Sequence, residues 1–297
     1  MTTLNFAGRG QFGRGISTCT TLLLAGTALA AKLNAGQLNH GDLVVADSQA
    51  TVYSLNSATG ARSIIAQGGK LDRPYGLVLD RHGNIITSDT GTLRIVQINP
   101  VNGQQTVLAE GAALGVPYGI DVDQQSGRIY VANSSAVLRI GTKGTVETVA
   151  QGGFLQVPLD VAVASDGTLY VADALAGVVR IDPVTKNQTL VSQGNNLKTP
   201  TGISLDGNGS AYVVDGGGKC IVAVDLPSGA QRLVTAGGYL TTPVGIALGA
   251  SGTMLVSDPD AFDLDGGIFR IGQDGTQTPV ARGSGDLVNA RGIAIVP

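Results

Sequence analysis

The segment TPTGISLDGNGSAYVVD, Thr199–Asp215, holds two short apolar runs separated by a glycine- and asparagine-rich turn. Its first half, P-x-G-I-x-x-D, and its second half, G-x-x-Y-V-x-D, both recur. The second half returns as GDLVVAD (41–47), GNIITSD (83–89), GRIYVAN (127–133), GTLYVAD (167–173), GSAYVVD (209–215) and GTMLVSD (252–258). The first half precedes the last five of these, as RPYGLVLD (73–80), VPYGIDVD (116–123), VPLDVAVA (157–164), TPTGISLD (199–206) and TPVGIALG (242–249). A sixth copy, ARGIAIV (290–296), ends the chain but for Pro297.

A period near 42 residues marks a repeat architecture. Between the paired signatures lie two more alternating runs, such as VVRIDP (178–183) and NQTLVSQG (187–194). Each repeat therefore holds four short strands joined by Gly, Pro, Asn and Asp turns, which makes them antiparallel neighbours. Six such units predict an all-β, six-bladed propeller over residues 41–297. The phase is that of a closed ring. The chain enters on a second strand and leaves on a first strand, so its two ends complete one blade and remove two strand edges.

The pattern P-x-G-I-x-x-D, then G-x-L-Y-V-A-D, then x-R-I-D resembles the NHL repeat. The resemblance implies architecture rather than activity, because similar six-bladed propellers include lyases, hydrolases, RNA binders and interaction scaffolds.

Residues 1–30 differ from the rest. They hold Arg9 and Arg14, no acid, an apolar run TLLLAGTALA (21–30) and a small-x-small end at Ala28–Ala30. These are the parts of a secretory signal peptide, and the run is too short to span a membrane. The expectation is a cleaved leader, a short segment 31–40, and a secreted or periplasmic propeller. Without the leader, 17 basic residues face 22 acids, a net charge of −5. An acidic chain lacking Lys/Arg clusters argues against nucleic acid and anionic membranes. Cys220 would then be the only cysteine, so no internal disulfide is available.

A residue present in every blade is explained by what every blade needs. The aligned Asp47, Asp89, Asn133, Asp173, Asp215 and Asp258 are expected to cap turns. Arg139, Arg180 and Arg270 recur on third strands, and Asp173–Arg180 and Asp258–Arg270 are candidate intrablade ion pairs. Function is expected where the repeat is broken, on the face carrying the Pro-x-Gly turns around the channel mouth. The variable turn residues there are Tyr75, Tyr118, Leu159, Thr201, Val244 and Arg291. Asp160 stands where the other five signatures have glycine, and Asp121 is the one acid among the aligned Val78, Asp121, Ala162, Ser204, Ala247 and Ala294. A charge on a first strand needs a partner or a shifted pKa. Asp121 and Asp160 are thus the candidate polar pair, with Tyr75, Tyr118, Thr201 and Arg291 as further ligand-binding candidates.

The similar gluconolactonase-like and streptogramin lyase-like propellers imply a central Glu with Asn and Asp, or His with Glu, near the mouth. Here the two glutamates, Glu110 and Glu147, fall in fourth strands, and His40 and His82 lie before the first blade and in a first–second turn. Two function classes follow. One is a monomeric binding scaffold holding a protein, peptide or glycan on the mouth face. The other is an atypical lyase or hydrolase that uses Asp121 and Asp160. In the sixth blade, Asp258 stands 13 residues before Ile271, against 7 to 9 in the others, so SDPDAFDLDGG (257–267) carries an insertion. Its Asp263 and Asp265 are the candidate ligands for calcium, although the loop lacks the spacing and terminal Glu of an EF-hand.

Overall fold

The computed structural model describes residues 38–249, 252–283 and 287–297; the expected leader lies outside them. Twenty-four strands form six sheets of four. Five blades run in sequence order: β4–β7 (Pro74–Leu79, Ile85–Asp89, Arg94–Ile98, Gln105–Glu110), β8–β11 (Pro117–Val122, Ile129–Asn133, Ala136–Ile140, Val146–Gln151), β12–β15 (Pro158–Val163, Leu169–Asp173, Gly177–Ile181, Gln188–Ser192), β16–β19 (Pro200–Leu205, Ser210–Asp215, Cys220–Asp225, Gln231–Ala236) and β20–β23 (Gly245–Leu248, Met254–Asp258, Gly267–Ile271, Gln277–Arg282). The sixth joins both ends, with β24 (Ala290–Ile295) beside β1 (Leu43–Asp47), β2 (Thr51–Leu55) and β3 (Arg62–Gln67). Leu43 opposes Ile295 and Val45 opposes Ile293 in this closing ladder.

The alternation of the strands puts apolar side chains on both faces of each sheet, so every blade packs against two neighbours. Six apolar clusters result, each drawn from two adjacent blades. A bulge breaks the third–fourth pairing of every blade, for example between Ile95 and Val96. It adds twist and turns a carbonyl toward the next blade. A glycine of the next blade's third–fourth turn lies under it, Gly103 against Ile65 and Gly229 against Val191, each at positive φ, with no room for a Cβ.

The expected intrablade ion pairs do not form. Asp173 opposes Gly177 on the ladder, whereas Arg180 opposes Tyr170, three residues further from the mouth. Asp258 and Arg270 are separated in the same way. Arg139 instead pairs with Glu147 on β11, and Arg270 donates to the Ser57 carbonyl of the closing blade at 2.8 Å. Among the described residues no helix is long and apolar enough to cross a membrane.

Candidate functional site

The aligned acids at the ends of the second strands are buried caps. Asp89 accepts the N–H groups of Asp72 and Arg73 on one oxygen, and those of Gly91 and Thr92 on the other. Asp173 binds the N–H groups of Gln156, Val157, Leu175 and Ala176 in the same manner. These bonds tie each fourth–first loop to the second–third loop beside it, so both open on one face. Asn133 differs, because its amide can donate: Nδ2 reaches the Leu114 carbonyl at 2.9 Å, at the end of a 3₁₀ turn.

The first strands β24, β4, β8, β12, β16 and β20 wall a central cavity of about 290 Å³. They approach closely at the mouth. A Cβ on Gly76 would strike the Tyr118 carbonyl, one on Gly245 the Arg291 carbonyl, and one on Gly119 the Asp160 side chain. Glycine is therefore the ordinary residue there, and Asp160 is the exception.

Of the sequence candidates, Tyr75, Asp121, Asp160, Thr201 and Arg291 line this cavity. The other five aligned wall positions, Val78, Ala162, Ser204, Ala247 and Ala294, line it too. Tyr118 is not a lining residue, but its ring meets that of Tyr75 edge-on at 5.3 Å. The Arg291 guanidinium stands 5.8 Å from the centre of the Tyr75 ring. Thr201 is committed to the scaffold, its one hydroxyl proton lying between the Pro243 carbonyl of the next blade at 2.9 Å and the Val214 carbonyl at 3.2 Å.

Both channel acids bridge blades. Asp121 on β8 accepts the N–H of Val163 on β12 at 2.7 Å and its neighbour Val122 N–H at 2.8 Å. Asp160 on β12 accepts the N–H of Ile203 on β16 at 2.9 Å and that of Val161 at 2.9 Å. Burial pushes the Asp121 carboxyl up to about 6 and that of Asp160 up to about 7; the backbone donors oppose the shift, and the charge of Asp121 adds to it at Asp160. Tyr75 is pushed up to about 12 by burial, with Arg291 opposing and Asp160 and Tyr118 reinforcing.

Two serines do the same bridging and were not singled out by sequence. Ser88 and Ser257 each accept a first-strand N–H, from Gly76 and Gly245, and donate to the carbonyl of Tyr118 or Arg291 in the next blade. Their signal was present: they stand where the other second strands have Ala or Val.

The sixth-blade insertion stays on the mouth face but outside the cavity. It forms a single turn, α1 (Ala261–Leu264), in which Phe262, Asp263 and Leu264 all have φ between 53° and 75°. Left-handed backbone costs about 1–2 kcal/mol per such residue. Aromatic packing offsets it: Phe262 lies 5.3 Å from Tyr239 and 5.1 Å from the buried Phe269, with Arg282 4.4 Å over its ring. Asp263 and Asp265 are exposed, and among the described residues no three His, Cys, Asp or Glu side chains gather into a cluster.

No protein-family description matches the chain, and no curated protein matches it in sequence. Solved structures do match. A crystal structure of a nidogen/laminin complex aligns with a TM-score of 0.75 at 16% identity, over 86% of this chain and 98% of that one. A streptogramin B lyase aligns with a TM-score of 0.61 at 17% identity, over 82% and 83%. At these identities the likeness is one of fold. The chain is a six-bladed β-propeller with four-stranded blades, an architecture shared by a protein in a protein–protein complex and by a lyase.

Proposed function

We propose that this chain is an NHL-type binding propeller, acting outside the cytosol, that docks a protein partner on its mouth face. One observation carries the reading. Of the eight large apolar side chains exposed among the described residues, five stand on mouth-face loops: Val116, Phe154, Leu175, Tyr239 and Leu264. Val101 and Val184 lie on the opposite face, and Leu233 on the outer β19. Leu175 and Leu264 are 68% and 71% exposed, at the tips of second–third loops. Apolar side chains gathered on one face of a ring are a common mark of a docking surface. The nidogen/laminin neighbour supports the reading by fold alone.

The channel acids favour binding over catalysis, since each of their oxygens already holds a backbone N–H that braces the ring. Photo-crosslinking residues placed at 175 and 264, and as controls at 101 and 184, test the assignment in extract and culture medium of the source organism. Adducts are expected from 175 and 264 alone, and Leu175→Asp with Leu264→Asp is expected to prevent binding of the partner so identified. Equal adducts from 101 and 184, or none from any position, would overturn it.

A further inference from the structure

We infer that the central cavity is a receptor for a zwitterionic small molecule of amino-acid size. This goes beyond partner docking and rests on different side chains. Among the lining residues three carry charge: Asp121, Asp160 and Arg291. Opposite charges in one cavity ordinarily pair, but these do not. Arg291 makes no ion pair with a described residue, and Asp121 and Asp160 accept only backbone N–H groups.

The ring explains the separation. Asp160 is carried by β12 and Arg291 by β24, three blades apart and so on opposite walls. The acids are locked by their backbone donors, and the guanidinium is held beside the Tyr75 ring at 5.8 Å. A molecule bearing an ammonium and a carboxylate would satisfy both walls at once. Its ammonium would meet Asp121 and Asp160, its carboxylate would take the guanidinium fork, and its body would lie against Tyr75. A volume of about 290 Å³ lies at the small end of ligand pockets, which suits a free amino acid better than a peptide.

The other groups facing the acids do not supply the missing cation. β4 and β8 bring Tyr75 and Tyr118, with Asp123 just past β8 a further acid, β16 brings Thr201 and Ser204, and β20 brings Ala247, with Val244 just before it. With no cation near, burial leaves both carboxyls holding protons more firmly than usual. An arriving ammonium would displace those protons, so binding is expected to release protons below about pH 7 and to tighten as pH rises from 5.5 to 7.5.

The test presents the twenty free L-amino acids at millimolar concentration in a thermal-shift assay, followed by calorimetry with the best of them. At least one is expected to stabilise the chain. Its methyl ester and its N-acetyl derivative, which each lack one charge, are expected to bind at least tenfold more weakly. Asp160→Asn and Arg291→Gln are expected to lose at least tenfold in affinity, while the Leu175→Asp, Leu264→Asp chain binds as the unaltered one does. No stabilisation by any amino acid, or a derivative binding as well as its parent, would overturn the inference. The derivatives are compared on the unaltered chain, so a variant that fails to fold leaves the result decisive.

Discussion

At the residue scale, the caps and the channel acids show how far a repeat can be read. Alignment of the six copies was enough to assign the second-strand aspartates to turns, because half of each cap's donors, such as Gly91 and Thr92, lie two or three residues on; the other half, Asp72 and Arg73 for Asp89, lie 17 and 16 residues back on the fourth–first loop. Asp89→Ala is expected to cost about 3 kcal/mol, since four part-buried N–H groups lose their acceptor at once. Asp89→Asn should cost less, because an amide retains one acceptor. Urea unfolding of both variants checks the order, and equal losses would contradict it. Asp121 and Asp160 stood out in the same alignment, but their partners did not. Val163 and Ile203 lie 42 and 43 residues away, on the next blade, and such a bond appears only once the ring is assembled. The sign of their pH effect follows from the raised pKa values. Each carboxyl binds its proton more tightly folded than unfolded, so its contribution to stability is present at low pH. It is lost as pH rises from about 4, the unfolded value, through about 6 and 7. Relative to wild type, Asp160→Asn should therefore gain on the order of 1–2 kcal/mol between pH 4.5 and 8. Parallel urea midpoints across that range would contradict the assignment.

At the element scale, the fourth strands hold a brace that the periodic pattern hid. Five of the six begin with a polar residue, β11 with Val146 being the exception, and those five reach back to the preceding blade. Gln277 accepts the N–H of Tyr239 and donates to Gly237 and Thr235, while Gln105, Gln188, Gln231 and Arg62 make the equivalent reach. Nothing in the periodic pattern marks these residues as anchors, because a polar residue on an edge strand usually faces water. The signal was the glycine pair at three of these reaches, Gly68–Gly69, Gly152–Gly153 and Gly237–Gly238, where the space a Cβ would take on the second glycine is filled by the amide of Gln105, Gln188 or Gln277. Gln277→Ala is expected to cost about 1–2 kcal/mol and to raise hydrogen exchange at Tyr239. The glutamine of a rim strand with no structural role would leave both unchanged.

At the scale of the whole molecule, blade number, strand count and the phase of closure were all legible. Each depends on a repeat seen six times, and a β24–β1 pair is what remains once the other blades are complete. The shape of the mouth was less legible. Nothing in the turn residues reveals that Tyr75 lines the cavity while Tyr118 only props it, since that depends on ring packing at 5.3 Å. Removing residues 289–297 takes away β24 and leaves β1 without a partner on its inner side. Such a chain is expected to lose its cooperative thermal transition rather than unfold a few degrees early. A sharp transition near that of the intact ring would contradict closure by this strand. The docking account is tested most directly by hydrogen exchange of the chain with and without the partner found by crosslinking. It predicts protection in the mouth-face loops 111–116, 152–157, 174–176, 237–244 and 259–266, and none in the opposite loops 99–104 and 182–187. Protection confined to the opposite loops or to the outer strands would contradict it.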